Sequence, residues 1–300
     1  MRKVAVAILL VVPVLMVEGI NFALADSVRK DVREECMSLS QRVLLQPKSD
    51  ESKNIPILIG CLRFEYGPER AEVVKALSSI GKPAISALIK AANSGVVVIP
   101  RAAIETLGEM GPEARDAVPE LMTILRNRRR YDVRFEIASA LGNIGEIELL
   151  MGIAKGLDPK IQPECGVQGL KVAGPKASQS VPLLIELLRN NDSRLRGEAA
   201  EALGEIGPAA NSAVPEMVEL VKNESSMFDR HDAIEALQKI GTLDAKNAAE
   251  QFQARKRVEE FFLFIFAAVY WWFPHSVIAI VGLILLVILF FNWRSRRIQH

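Results

Sequence analysis

Six times between residues 66 and 250 the chain sets apolar or small side chains at the same four places and polar ones between them. Each set ends on a glycine: Gly81, Gly111, Gly145, Gly174, Gly207 and Gly241, at intervals of 29 to 34 residues. Four positions before each glycine stands Leu77, Leu107, Leu141, Leu170, Leu203 or Leu237. One before it stands Ile80, Met110, Ile144, Ala173, Ile206 or Ile240. Five before it the residue is small: Ala76, Thr106, Ala140, Gly169, Ala202 or Ala236. Eight before it are Val73, Ala103, Ile137, Gly166, Ala199 and Ala233. Positions −8, −5, −4 and −1 fall on one stripe of an α-helix, and small residues there let two helices approach closely. The glycine is expected to end the helix in the left-handed αL conformation. Proline follows directly at Pro112, Pro175 and Pro208, and one residue later at Pro83.

A second helix is predicted after each glycine. Pro119, Pro182 and Pro215 fit its first turn, where the missing N–H costs little. Val118, Leu121, Met122 and Leu125 form an i, i+3, i+4, i+7 stripe. The stripe recurs as Ile85, Leu88, Ile89, Ala92, as Val181, Leu184, Ile185, Leu188, and as Val214, Met217, Val218, Val221. Each helix pair has apolar edges it cannot bury alone, and stacking the pairs buries them. Asp192 and Ser193 suit the start of a helix between units.

The stretch "DSRLRGEAAEALGEIGPAANSAVPEMVELVKN", 192–223, resembles a HEAT repeat of the short type also found in phycobilisome lyases. The likeness extends over about 66–250. It implies an all-α fold, a right-handed α-α superhelix of the HEAT/armadillo kind. It also implies that the second helices line a concave groove that binds a protein or peptide. The matching positions are packing positions, so the resemblance speaks for a scaffold first. Its alternative is a bilin-lyase-type enzyme or accessory subunit.

The two ends break the pattern. Arg2 and Lys3, the uncharged run Val4–Val17 and Ala23-Leu24-Ala25 lay out a secretory signal peptide, 1–25, with an uncleaved anchor as the other reading. At the other end, Phe261 to Phe291 carries no acidic, Lys or Arg side chain. Pro274 is expected to break or kink this run, leaving 274–293 as one membrane-spanning helix. A two-span hairpin is the rival. Arg294, Arg296 and Arg297 put the tail 294–300 in the cytoplasm and the repeats outside it. The expected order is signal 1–25, helical cap 26–65, solenoid 66–250, juxtamembrane segment 251–273, span 274–293 and tail. Within the cap, 27–46 and 55–65 are expected as helices with 47–54 as a loop.

Composition narrows the chemistry. The formal charge of +1 gives no pull toward nucleic acid, and no basic face runs along several repeats. His231, His275 and His300 are dispersed, and no Cys-x-x-Cys or His-Glu dipeptide occurs, so no metal, cofactor or catalytic triad is called for. The paired His-Glu dipeptides with which the HEAT-repeat deoxyhypusine hydroxylases hold iron have no counterpart here. Cys36 and Cys61 lie at comparable distances from the loop between the cap helices and could bridge, or stay as two buried thiols. Cys165, nine before Gly174 on a face where other repeats carry mostly acidic residues, could be exposed there and cross-link to another chain. The densest charge run, Arg126, Arg128, Arg129, Arg130 and Arg134, is a candidate partner-binding patch for an acidic segment or other anion; its other reading is a solvated loop at a helix C-terminus.

Overall fold

In the computed structural model the described residues are 22–48, 50–63, 67–94, 98–127, 130–223, 227–272 and Gly282. Two units are distinguished, Met1–Gly241 and Thr242–His300. Every regular element among the described residues is helical.

Among the described residues the first unit holds thirteen α-helices: α1 (Phe22–Leu45), α2 (Glu51–Cys61), α3 (Pro68–Ile80), α4 (Lys82–Ala92), α5 (Val98–Glu109), α6 (Val118–Arg126), α7 (Arg134–Ile144), α8 (Ile147–Ala154), α9 (Pro163–Ala173), α10 (Val181–Leu187), α11 (Ser193–Ile206), α12 (Val214–Asn223) and α13 (Met227–Ile240). The odd-numbered helices from α3 carry the glycine-closed motif. At all six repeats the −8, −5, −4 and −1 side chains are buried, and the six leucines are fully so. Cutting one of these leucines to alanine costs about 2–5 kcal/mol on general grounds. Asp192 caps α11, its carboxylate accepting the Arg194 backbone N–H at 2.9 Å.

The odd helices stack on one another, α3 on α5, α5 on α7, and so on to α11 on α13. This is where the small residues act. A side-chain carbon on Gly142 would press into the Gly169 carbonyl of the next odd helix, and one on Gly108 or Gly204 would meet Ala140 or Ala236 at 3.1 or 2.9 Å. The even helices pack mainly on the first helix of the next repeat, with further contact through the connecting turns. The motif-bearing first helices are therefore the closely stacked row. The reason lies in the Gly/Ala positions, which shorten the spacing of one row only.

The cap continues both rows. α1 packs on α3 and α2 on α4. α2 begins at Glu51, four residues before the expected start, behind Asp50 in a left-handed conformation (φ 47°).

Two other details differ from expectation. All six closing glycines have positive φ, but only Gly145 is in the αL region (φ 94°, ψ 27°) among those whose ψ is known. Gly81, Gly174 and Gly207 instead have ψ of −141°, −129° and −141°, a region essentially confined to glycine. They turn the chain straight into the next helical segment. After Gly111, Gly174 and Gly207 that segment is a 3₁₀ stretch, Gly111–Ala117, Gly174–Ser180 and Gly207–Ala213. Its buried residues are three apart, Ala114 and Ala117, Ala177 and Ser180, Ala210 and Ala213. That spacing matches a helix of three residues per turn.

The described part of the second unit includes the long helix α14 (Leu243–Trp272), with Phe261, Leu263 and Phe264 exposed. Among the described residues no helix is long and apolar enough to cross a membrane. The span expected within 274–293 lies outside the described residues apart from Gly282, and so does the signal segment up to residue 21.

Candidate functional site

With the −8, −5, −4 and −1 side chains spent on packing, positions −10, −9, −6 and −2 of the first helices lie on the opposite side of the helix, where Ala102, Cys165 and Gly197 are buried and most of the others reach the surface. They differ from repeat to repeat. Between the second and third repeats they enclose a cleft of about 380 Å³. Gly108 and Ala140 form its floor, and Phe135, 39% exposed, stands in it. Charged pairs that cross from helix to helix frame it: Arg70 on α3 with Glu105 on α5, and Arg101 on α5 with Glu136 on α7 at 2.7 Å. The ladder continues with Lys171–Glu201 at 2.7 Å and Lys239–Glu205 at 2.9 Å. Half-exposed pairs of this kind contribute little stability each. They do fix the register of charges along the face.

Arg194 and Lys171 flank an acidic cluster on α9 and α11. Glu198 is half-buried there, with Glu164 and Glu201 nearby, and its Oε2 accepts no hydrogen bond among the described residues. Burial first, and then the negative charge of Glu164, push its carboxyl up to about 7.

The arginine run divides. Arg126, at the end of α6, pairs with Asp158 at 2.7 Å. This hydrogen bond is the main cause holding the Asp158 carboxyl below the usual carboxylate range. Arg128 and Arg129 lie outside the described residues. Arg130 reaches Asp132 through Nε at 3.4 Å and donates from Nη1 to the Ala92 carbonyl at 3.4 Å. Arg134, the first residue of α7, donates to Gln162 and lies over the Phe135 ring, 4.5 Å from its centroid. Arg130 and Arg134 are thus brought together on one cavity, and Arg126 is engaged beside it.

Cys36 and Cys61 form a disulfide joining α1 to α2, with their Cα atoms 6.0 Å apart. Cys165 is buried, so it is not exposed for cross-linking. The −9 position is half-buried when it carries Glu72, Glu136 or Glu198, and a side chain as short as Cys165 or Ala102 disappears beneath its neighbours. Burial pushes the Cys165 thiol up to about 11. His231 is exposed, and among the described residues no group of His, Cys, Asp and Glu could hold a metal. Phe135, Arg101, Glu105 and Glu136 were not singled out by sequence. The available signal was their shared phase, on the face of the odd helices opposite the buried stripe.

The HEAT repeats profile matches residues 85–162 and 166–252, more than half of the sequence. The chain belongs to the HEAT repeat family. No curated protein sequence matches it. Solved structures similar to these HEAT repeats include an engineered protein at 21% identity, covering 72% of this chain and 61% of that one, with a TM-score of 0.39. A complex of CpcE and CpcF of phycocyanin lyase from Nostoc sp. aligns at 16% identity, over 62% of this chain and 98% of that one, with a TM-score of 0.35. A designed armadillo repeat protein aligns at 15% identity, over 68% and 100%, with a TM-score of 0.37.

Proposed function

We propose that this chain is a membrane-tethered HEAT scaffold that binds a protein or peptide partner along the exposed side of its first helices and carries out no catalysis. The observation that carries this reading is the division of labour within the motif. Its apolar or small positions are buried, and its polar-side positions present an exposed Phe135 inside a framed cleft of about 380 Å³. An aromatic anchor in a recess with a polar rim is the usual form of a protein-binding hot spot.

The tether and the location rest on the sequence. The uncharged stretch within 274–293 is long enough to span, and Arg294, Arg296 and Arg297 favour a cytoplasmic tail. With a signal segment at 1–25, the repeats then lie outside the cytoplasm. Anchoring confines the scaffold to a layer next to the bilayer and raises its effective concentration for membrane-bound partners.

The test is co-purification of the tagged full chain from its own membranes in a neutral detergent, beside Phe135→Ala and Arg101→Glu. A partner retained in near-equal amount by the parent and lost by both variants supports the reading. Equal recovery from all three, or none from the parent, refutes it. Protease added to intact cells should degrade the repeats and spare an epitope after residue 294; the opposite pattern refutes the location.

A further inference from the structure

A second recess lies off the helical face, where the segment entering α7 meets the segment between α8 and α9. It encloses about 540 Å³, within the roughly 300–1,000 Å³ common for ligand pockets. Three of its lining residues are cations, Arg130, Arg134 and Lys160, and one is an acid, Asp158. We propose that this recess seats the carboxylate of a glutamate or aspartate side chain in an acidic segment of the protein partner; this rests on the scaffold reading above.

The charge balance points to an anion. Asp158 is already answered from outside the recess by Arg126 at 2.7 Å, and its carboxylate also accepts the Lys160 backbone N–H at 3.0 Å. With Asp158 engaged by Arg126 and Arg130 by Asp132 at 3.4 Å, Lys160 is the cation that an incoming carboxylate would answer. Lys160 is exposed and makes no ion pair among the described residues.

The guanidinium groups are held in place beforehand. Gln162 and the Phe135 ring fix Arg134, and Asp132 and the Ala92 carbonyl fix Arg130. A fixed guanidinium fork loses little conformational freedom when it receives a carboxylate, and its planar donors match the two carboxylate oxygens.

The shape and the walls favour a side chain on a protein over a lipid head group. Leu125 and Ile161 line the recess as buried apolar residues, so a cationic rim stands above an apolar wall. A glutamate matches that arrangement, with methylenes on the wall and the carboxylate at the rim. A lipid phosphate held in a flat headgroup layer would have to leave that layer to enter. Arg134 and Phe135 are adjacent in sequence and line this recess and the cleft between the second and third repeats respectively. A partner segment carrying an apolar residue close to an acidic one could fill both.

The test uses the full chain in neutral detergent at low salt, with fluorescein-labelled hexaglutamate as the probe. Hexaglutamine serves as the uncharged control and a soluble short-chain phosphatidylglycerol as the competitor. Hexaglutamate is expected to bind and hexaglutamine not to. Lys160→Glu and the double variant Arg130→Gln/Lys160→Gln should each weaken binding at least tenfold with an unchanged unfolding midpoint. Lys155→Gln, outside the recess, should leave binding unchanged. No binding of hexaglutamate, equal binding by Lys160→Glu, or displacement by equimolar phosphatidylglycerol overturns the proposal. If hexaglutamate fails while Phe135→Ala still abolishes partner recovery, the carboxylate seat alone falls. If hexaglutamate binds as expected and no partner co-purifies, the seat stands and the scaffold reading falls.

Discussion

Replacing Gly142 with alanine sets two general effects against each other. In a helix interior the change gains about 1 kcal/mol, because glycine is the poorer helix former. At Gly142 the added carbon would overlap the Gly169 carbonyl oxygen and sit 3.1 Å from the Gly169 carbonyl carbon and 3.2 Å from the Ala173 nitrogen. These are backbone atoms of the neighbouring first helix, so no side chain can rotate away. α7 and α9 must part, which loosens Leu141, Leu170 and Leu150, all fully buried. Overpacking of this kind costs about 1–3 kcal/mol and more where backbone must shift. The clash wins, and a net loss of about 2 kcal/mol is expected once the propensity gain is subtracted. Gly60 is the matched control, a helical glycine whose added carbon meets nothing within 4 Å. Gly60→Ala should stabilise by roughly 0.5–1 kcal/mol. Urea unfolding of the full chain in neutral detergent, followed by helical circular dichroism, reads both. With a urea slope of about 2 kcal/mol per molar, Gly142→Ala lowers the midpoint by about 1 M and Gly60→Ala raises it slightly. If Gly142→Ala raised the midpoint as Gly60→Ala does, the close approach of α7 and α9 would be wrong, and with it the identity of the closely stacked row.

Other consequences follow from single groups. Glu198 holds its proton more tightly folded than unfolded, from 4.5 up to about 7, so the native state binds more protons across that window and stability falls as pH rises through it. Screening at this half-exposed site limits the effect to about 1–2 kcal/mol; Glu198→Gln should flatten the slope of stability between pH 5 and 7, and an unchanged slope would refute it. With Cys36 and Cys61 bridged and Cys165 buried, a thiol reagent at pH 8 should find no thiol in the native chain and one after denaturation without reductant; a reactive native thiol would contradict this. Opening the bridge, which closes a sequence separation of 25, by Cys36→Ser/Cys61→Ser should destabilise the α1–α2 end by at most about 3–4 kcal/mol, seen as an early step in unfolding, and no change would refute it.

Much of the fold was legible because HEAT packing is periodic. The leucine and small-residue positions repeat at fixed distances from each glycine, and each proved buried. Periodicity along one helix, however, says nothing about which row of helices lies closer to its successors. That depended on contacts such as Gly142 with Gly169, between residues 27 apart in sequence. The 3₁₀ stretches were hidden for a different reason. A pair such as Ala114 and Ala117 fits a turn of either helix type. The burial of Cys165 was hidden because its neighbours in register are long acidic residues that reach water from a half-buried backbone position, which a thiol does not. The candidate site was visible only in part. The arginine run drew notice by charge density, yet Arg126 is engaged by Asp158, and Lys160 completes the cavity from a loop 30 residues after Arg130. Phe135 gave no sign in isolation, since one aromatic at a helix start is as easily core as surface.

The central claim is that the first-helix face is occupied by a partner. Site-specific photocrosslinking in living cells tests it most directly, with a photoreactive phenylalanine at position 135 and, as control, at the exposed Glu186 on α10. The account predicts one discrete adduct of defined mass from position 135 and none from position 186. No adduct at 135, or the same adduct at both, would contradict it.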